Sequence, residues 1–240
     1  MGKDEALFRE STKLLALADK YRYSYLWKWL GVPIIQLPSD VLAMQEVVWD
    51  RRPDVIIETG VARGGSIIFF ASLLELIGNG RVIGIDIDIR QHNRRSIEDN
   101  IFSKRVTLLE GSSIADNLYE QVMNLIPSGS SVMVVLDSDH SYDHVRKELD
   151  LYGKLVSPGQ YMIVADTMLG RMTADEIPKE RSKIWYKGDE PLSALHDYLN
   201  EHDDFELDEE LNGKMILSSS TGGYLRKKFD GHLVQHSDRG

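Results

Sequence analysis

From residue 54 onward, short apolar runs rich in β-branched residues alternate with amphipathic stretches, and this alternation constrains the fold more than any other feature. The strand candidates are DVIIE, RVIGID, RVTLLE, SVMVVLD and QYMIVAD, with helices predicted at about 65–77, 91–101, 114–124 and 142–155. Runs that are apolar throughout predict parallel strands, covered by helices on both faces of one α/β sheet. A chain of 240 residues with 42% apolar content suits one such domain with some decoration. Residues 4–30 read as helical, and they end in the aromatic run YRYSYLWKWLG. Gly31, Pro33 and Pro38 mark a connection, after which Ser39–Asp40 is expected to cap a helix over VLAMQEVVWD. The expected division is therefore an N-terminal helical extension over 1–50, a main domain over 51–230 and a loosely held tail over 231–240. A helix over LSALHDYLNE and strands near Phe205–Asp208 and Met215–Ser218 are expected to close the domain.

Charge and composition exclude several roles. The formal net charge is -10 and no basic block is present, so nucleic acid is not an expected partner. There are no cysteines, which removes disulfides, thiolate metal sites and thiol nucleophiles. The N-terminus lacks the apolar core of a signal peptide. The longest apolar stretch, SIIFFASLLELIG, is interrupted by Glu75 and falls short of the roughly 20 residues that span a bilayer. A soluble, cytoplasmic protein is expected.

The first strand runs into a glycine turn, IIETGVARGGS. A turn at the carboxyl end of such a strand lies where open α/β sheets bind ligands. Gly60, Gly64 and Gly65 are expected to adopt positive φ and to let the backbone approach a ligand closely. The spacing is G-x-x-x-G-G rather than the G-x-G-x-x-G of dinucleotide sites. Glu58, two residues before Gly60, is a poor neighbour for a pyrophosphate and a good one for a cation. That favours S-adenosylmethionine, which carries an ammonium and a sulfonium and no phosphate. Asp86 ends the second strand and suits two ribose hydroxyls. Asp88, two residues on, is its competitor, but it should face the other side of a straight strand. The bland alternative is a set of glycines that merely pack a helix against a strand.

The fourth strand ends in Asp137, Ser138, Asp139 and His140, and the fifth in Ala165, Asp166 and Thr167. Adjacent strand tips lie roughly 5 Å apart. Carboxylates that converge there without a lysine suit a hard divalent cation, Mg²⁺ or Ca²⁺. Asp137, Asp139 and Asp166 are the candidate metal ligands. His140, with Asp139 beside it, is the candidate catalytic base. The alternative is that the same acidic residues cap the following helix. A divalent ion beside a methyl donor has a use: it acidifies an acceptor hydroxyl and orients its oxygen.

"IIETGVARGGS", "VIGIDIDIR", "LLEGSS", "VVLDSDHSYDHV" and "GGYLRK" together resemble the cephalosporin hydroxylase family, which also contains rhamnosyl O-methyltransferases. The resemblance runs from about Trp29 to Phe229. It implies a Rossmann-like class I methyltransferase fold, a mostly parallel seven-stranded sheet with helices on both faces, with S-adenosylmethionine and a magnesium site. On the family's motifs, Gly60, Ala62 and the Arg63–Gly64–Ser66 turn hold the methionine part, with Glu58 and Asp137 close by. Asp86 holds the ribose, Ser112 and Ser113 flank the adenine, and Asp137 or Asp139 with Asp166 holds the metal. One departure concerns the metal: the family's Glu-Asp pair after the fifth strand is Ala165-Asp166 here, so either Thr167 or water completes the shell, or metal affinity is lower, or the metal is absent.

The expected activity is O-methylation of a hydroxyl on a small molecule or glycoside, in antibiotic or other natural-product synthesis or in cell-surface sugar synthesis. Two alternatives stay open: an oxidoreductase, as the family's name suggests, and a non-catalytic cofactor-binding protein. The oxidoreductase lacks support from any 2-His-1-carboxylate pattern. The aromatics Tyr21, Tyr23, Tyr25, Trp27 and Trp29 either line a cleft or pack the N-terminal segment onto the domain or a second subunit, and a homo-oligomer is expected. Gln36, in "GVPIIQLPSD", is expected near the active site. The long connection with Arg171, Arg181, Lys183, Trp185 and Tyr186 is either a lid or a solvated connection with no role.

Overall fold

A computed structural model of the chain describes residues 1–178 and 186–229. Arg181, Lys183 and Trp185 of the lid candidate, and the 231–240 tail, lie outside the described residues. The five predicted strands form as β3 (Val55–Thr59), β4 (Arg81–Asp86), β5 (Val106–Glu110), β6 (Val132–Leu136) and β7 (Tyr161–Val164). With β8 (Phe205–Leu207) and β9 (Tyr224–Lys227) they make one seven-stranded sheet of order β5-β4-β3-β6-β7-β9-β8. All pairs are parallel except those made by β9, which runs antiparallel between β7 and β8. β3 and β6 are buried at every residue because both faces carry helices. One core packs α2 (Pro38–Arg51) and α3 (Gly65–Ile77) onto the sheet. The other packs α5 (Asp116–Leu125), α6 (Tyr142–Tyr152) and α7 (Pro191–Glu201) onto the opposite face. The order reverses between β3 and β4 on one side and β6 on the other, which opens a crevice at their carboxyl ends. No helix among the described residues is long and apolar enough to cross a membrane.

Three expectations need correction. The N-terminal helix, α1 (Glu5–Asp19), stops at Asp19, and the aromatic run that follows forms a 3₁₀ turn at Tyr23–Tyr25 and a hairpin of β1 (Trp27–Trp29) and β2 (Val32–Ile34). Leu30 (φ +48) and Gly31 (φ +87) supply the two left-handed residues that a tight hairpin turn requires. The segment Met215–Ser218 is not a strand. Asp40 draws it to α2 instead, through the Ser218 and Ser219 hydroxyls and the Ser219 N–H. That same bonding means Asp40 does not cap α2, which starts with Pro38 in its first turn and no side-chain cap.

Candidate active site

The β3 tip, the N-terminal hairpin and the β6 and β7 tips enclose a cavity of about 400 Å³. The glycine turn forms one wall, and each glycine has a separate cause. Gly60 has φ +94, and a Cβ added there would lie 1.9 Å from the Asp137 carbonyl oxygen, so the β3 and β6 tips touch through it. Gly64, at φ +85, starts α3. Gly65 does not take positive φ; an added Cβ would meet Pro33 O at 2.3 Å, so Gly65 admits the β2 segment rather than a ligand. Ala62 is also left-handed, at φ +45, and the Asn93 amide donates to its carbonyl at 2.8 Å.

Asp86 holds this turn. Its Oδ2 accepts from the Val61 and Ala62 N–H groups, both at 2.9 Å, and its Oδ1 accepts from Asp88 N–H at 3.1 Å. A carboxylate has about four acceptor positions, so Asp86 retains capacity for ribose hydroxyls. Asp88 is exposed. Glu58 sits beneath the turn rather than on the cavity wall, 1% exposed, with neither oxygen hydrogen-bonded in good geometry. Burial pushes its pKa up to about 8; the Ser66 hydroxyl opposes the shift and the Asp86 charge adds to it. Arg63 lies over the Tyr25 ring at 5.5 Å, tying the turn to the N-terminal segment.

The opposite wall is acidic. Donor atoms of Asp137, His140 and Asp166 lie within 4.8 Å of one another, and His140 Nε2 is 3.2 Å from Asp166 Oδ2. Asp166 takes a left-handed backbone, φ +53, which Asp tolerates better than most residues. Asp137 is held well above the usual carboxylate range, first by burial, then by the charges of Asp166, Glu58 and Asp40; the Gln36 amide, donating to its Oδ2 at 2.9 Å, opposes this. Asp40 is pushed up to about 6 by burial. A carboxylate raised by neighbouring charges in this way is suited to a cation, which would relieve the repulsion.

Asp139 lies outside the three-residue group. Its Oδ1 accepts from Ser141 N–H at 2.8 Å and Ser141 Oγ at 2.6 Å, at the start of α6. These bonds tie Asp139 to the residue that precedes α6 and do not cap the helix, whose first N–H, that of Tyr142, donates to Asp189 Oδ1 at 2.9 Å. Thr167 is fully buried and donates to Thr221 O at 2.9 Å, so it does not face the cluster as the replacement for the absent Glu. Ala165 is itself buried. His140 stands in the cluster instead. Ser113 Oγ donates to Glu148 Oε1 at 2.6 Å and lies 3.0 Å from His144 Nε2, and Ser138 Oγ donates to the same Glu148 oxygen at 2.7 Å. This buried bridge from the β5 turn to the β6 tip escaped the sequence reading; its only trace there is the His144/Glu148 spacing of four on a helix. The aromatic run divides its roles. Trp29 packs, donating to Ser72 Oγ at 3.0 Å, whereas Tyr23 and Tyr25 line the cavity.

The sheet order, with β9 antiparallel between β7 and β8 and a crevice at the β3 tip, is the Rossmann-like methyltransferase fold. The rhamnosyl O-methyltransferase/CmcI family model matches residues 21–228, and the chain belongs to that family. A rhamnosyl O-methyltransferase of Mycobacterium leprae is 26% identical over 229 residues, 92% of this chain and 94% of its own. One from Mycobacterium tuberculosis H37Rv is 27% identical over 220 residues, 88% of this chain and 84% of its own. A structure of CmcI with Mg and S-adenosylmethionine superposes with TM-score 0.59 at 20% identity, covering 85% of this chain and 78% of that one. The O-methyltransferase TomG of Streptomyces achromogenes, with S-adenosylmethionine, gives 0.54 at 17%, covering 80% of each. These two share the fold.

Proposed function

We propose that the chain methylates a hydroxyl of a small molecule or glycoside, with S-adenosylmethionine along the glycine turn and Mg²⁺ held by Asp137 and Asp166. The observation that carries this reading is one cavity with the glycine turn on one wall and Asp137, His140 and Asp166 on the other. The CmcI structure with Mg and S-adenosylmethionine and the rhamnosyl acceptor of the mycobacterial relatives support it. Gly60, Ala62 and Arg63–Ser66 bind the methionine part, Asp86 the ribose, and Ser112 and Ser113 the adenine side. Mg²⁺ there would acidify the acceptor hydroxyl and fix its oxygen. His140, with Nε2 against Asp166, accepts the hydroxyl proton on Nδ1. The C–S bond breaks as the C–O bond forms, leaving a methyl ether and S-adenosylhomocysteine. Tyr23, Tyr25 and Met172 form the wall nearest the N-terminal segment and hold the acceptor. We place the enzyme in the cytoplasm as a homo-oligomer, with exposed Leu42 and Trp49 on α2 as candidate contacts.

Calorimetric titration of S-adenosylmethionine, with Mg²⁺ and with EDTA, tests the reading on wild type and Asp166→Ala. Cofactor binding in both buffers is expected, together with a separate Mg²⁺ signal that the variant lacks. Methylation of a rhamnoside panel should then depend on Mg²⁺. Absence of cofactor binding would overturn the turn's assignment, and a Mg²⁺ signal surviving in the variant would overturn the metal's.

A further inference from the structure

We propose that Gln36 is a positioning residue for the metal site, so that the N-terminal segment sets metal affinity together with the sheet edge. The inference rests on the metal reading above. Gln36 is 7% exposed and lines the cavity. Its Nε2 donates to Asp137 Oδ2 at 2.9 Å across 101 residues of sequence. Among the described residues it is the only side chain that hydrogen-bonds Asp137.

The chemistry of that partner is informative. Asp137 is half-buried and feels the charges of Asp166, Glu58 and Asp40, where a Lys or Arg would be the obvious electrostatic remedy. A cationic side chain would also compete with a bound metal. An amide N–H fixes one carboxylate oxygen, Oδ2, without neutralising the group, so the carboxylate keeps its charge for a cation. Outer-shell bonds of this kind orient ligands and contribute to metal affinity.

The backbone around Gln36 is built to hold it in place. β2 is paired to β1 at three positions, Trp27 with Ile34, Lys28 with Pro33 and Trp29 with Val32. The missing Cβ of Gly65 lets Pro33 O and Ile34 close onto the start of α3; an added Cβ would lie 2.3 and 2.5 Å from them. Pro38 opens α2 immediately beyond. One glycine of the turn thus seats the segment that delivers Gln36 to the metal wall.

The test titrates Mg²⁺ and Mn²⁺ into the full chain by calorimetry, comparing wild type with Gln36→Met, which keeps the length and removes the amide. Metal affinity should fall about 10-fold or more, while S-adenosylmethionine affinity in EDTA stays within about twofold, a split that a general packing defect would not give. Equal metal affinity in the two proteins would overturn the proposal. A wild type that binds neither metal would overturn the metal reading itself, and this inference with it. Gln36→Glu provides a second readout that does not need Gln36→Met to fold. It adds a carboxylate beside Asp137, so the melting temperature in EDTA should drop and the rise on adding Mg²⁺ should exceed that of wild type. An unchanged Mg²⁺ response would contradict the proposal.

Discussion

The two walls of the cavity are built on opposite electrostatic principles. On the glycine wall, polar groups satisfy one another: Asp86 takes the Val61 and Ala62 N–H groups, and Asn93 takes the Ala62 carbonyl. On the acidic wall, Asp137 is pressed upward in pKa by burial and by three other carboxylates, with one amide in opposition. The turn of the first wall is held by its own hydrogen bonds without a ligand, as suits a rigid cradle. The second stores repulsion that a cation would release. Preorganisation and poised instability lie side by side because Gly60 brings the β3 and β6 tips into contact.

Gly60→Ala should break the comparison by damaging both walls together. Its Cβ would fall 1.9 Å from the Asp137 carbonyl, on a residue at φ +94, so backbone must move. A loss of about 4 kcal/mol or more is expected, read as a fall in urea midpoint, with neither cofactor nor metal bound. A fully stable variant would show that the tips are not in contact.

Asp137→Asn should separate the walls. Removing one charge relieves the acidic wall, so the EDTA form should melt a few degrees higher, at about 2–4 °C per kcal/mol. Mg²⁺-dependent turnover should fall about 1,000-fold, the several kcal/mol that a metal contributes to charge stabilisation. S-adenosylmethionine binding in EDTA should persist. A variant less stable than wild type in EDTA would argue that the acidic wall stores no repulsion.

Much of the glycine wall was legible in the sequence because its causes are local. The strand DVIIE, the turn and Asp86 lie within about thirty residues, and buried parallel strands announce themselves as unbroken apolar runs. The acidic wall was legible only in part. Asp137, His140 and Asp166 stood out as strand-tip residues, but Asp139 is an aspartate like Asp137, and only its bonds to Ser141 distinguish them. Asp40 gave no signal as a site neighbour, since its partners Ser218 and Ser219 lie far away in sequence, and Glu148 offered only its spacing of four from His144. The β1–β2 hairpin was hidden in an aromatic run read as helix, although W-K-W followed by Leu30-Gly31 carries the period of two and the turn of a hairpin. The place of β9 escaped for a similar reason: Met215–Ser218 is apolar enough for a strand, and only Asp40 draws it elsewhere.

Glu58→Gln should sharpen the comparison with the smallest effect. Glu58 rises from 4.5 to about 8 in the folded chain because of burial, so the native state holds its proton more tightly than the unfolded one. Its contribution to stability is therefore complete below pH 4.5 and is lost as pH climbs through 8. Asp40, raised from 3.8 to about 6, acts with the same sign. Wild type in EDTA should lose stability steadily across this range. Glu58→Gln should flatten the upper part of the slope, above pH 6, in urea titrations. An identical slope in both proteins would mean that Glu58 is ionised in the native state throughout.

The most direct measurement is anomalous diffraction from crystals grown with S-adenosylhomocysteine and Mn²⁺. The predicted result is one anomalous peak between the Asp137 and Asp166 carboxylates, with the cofactor's carboxylate and ammonium end against Gly60–Ser66. An ordered cofactor with no peak at the acidic wall, or a peak held by other residues, would contradict the claim that Asp137 and Asp166 form the metal site of this methyltransferase.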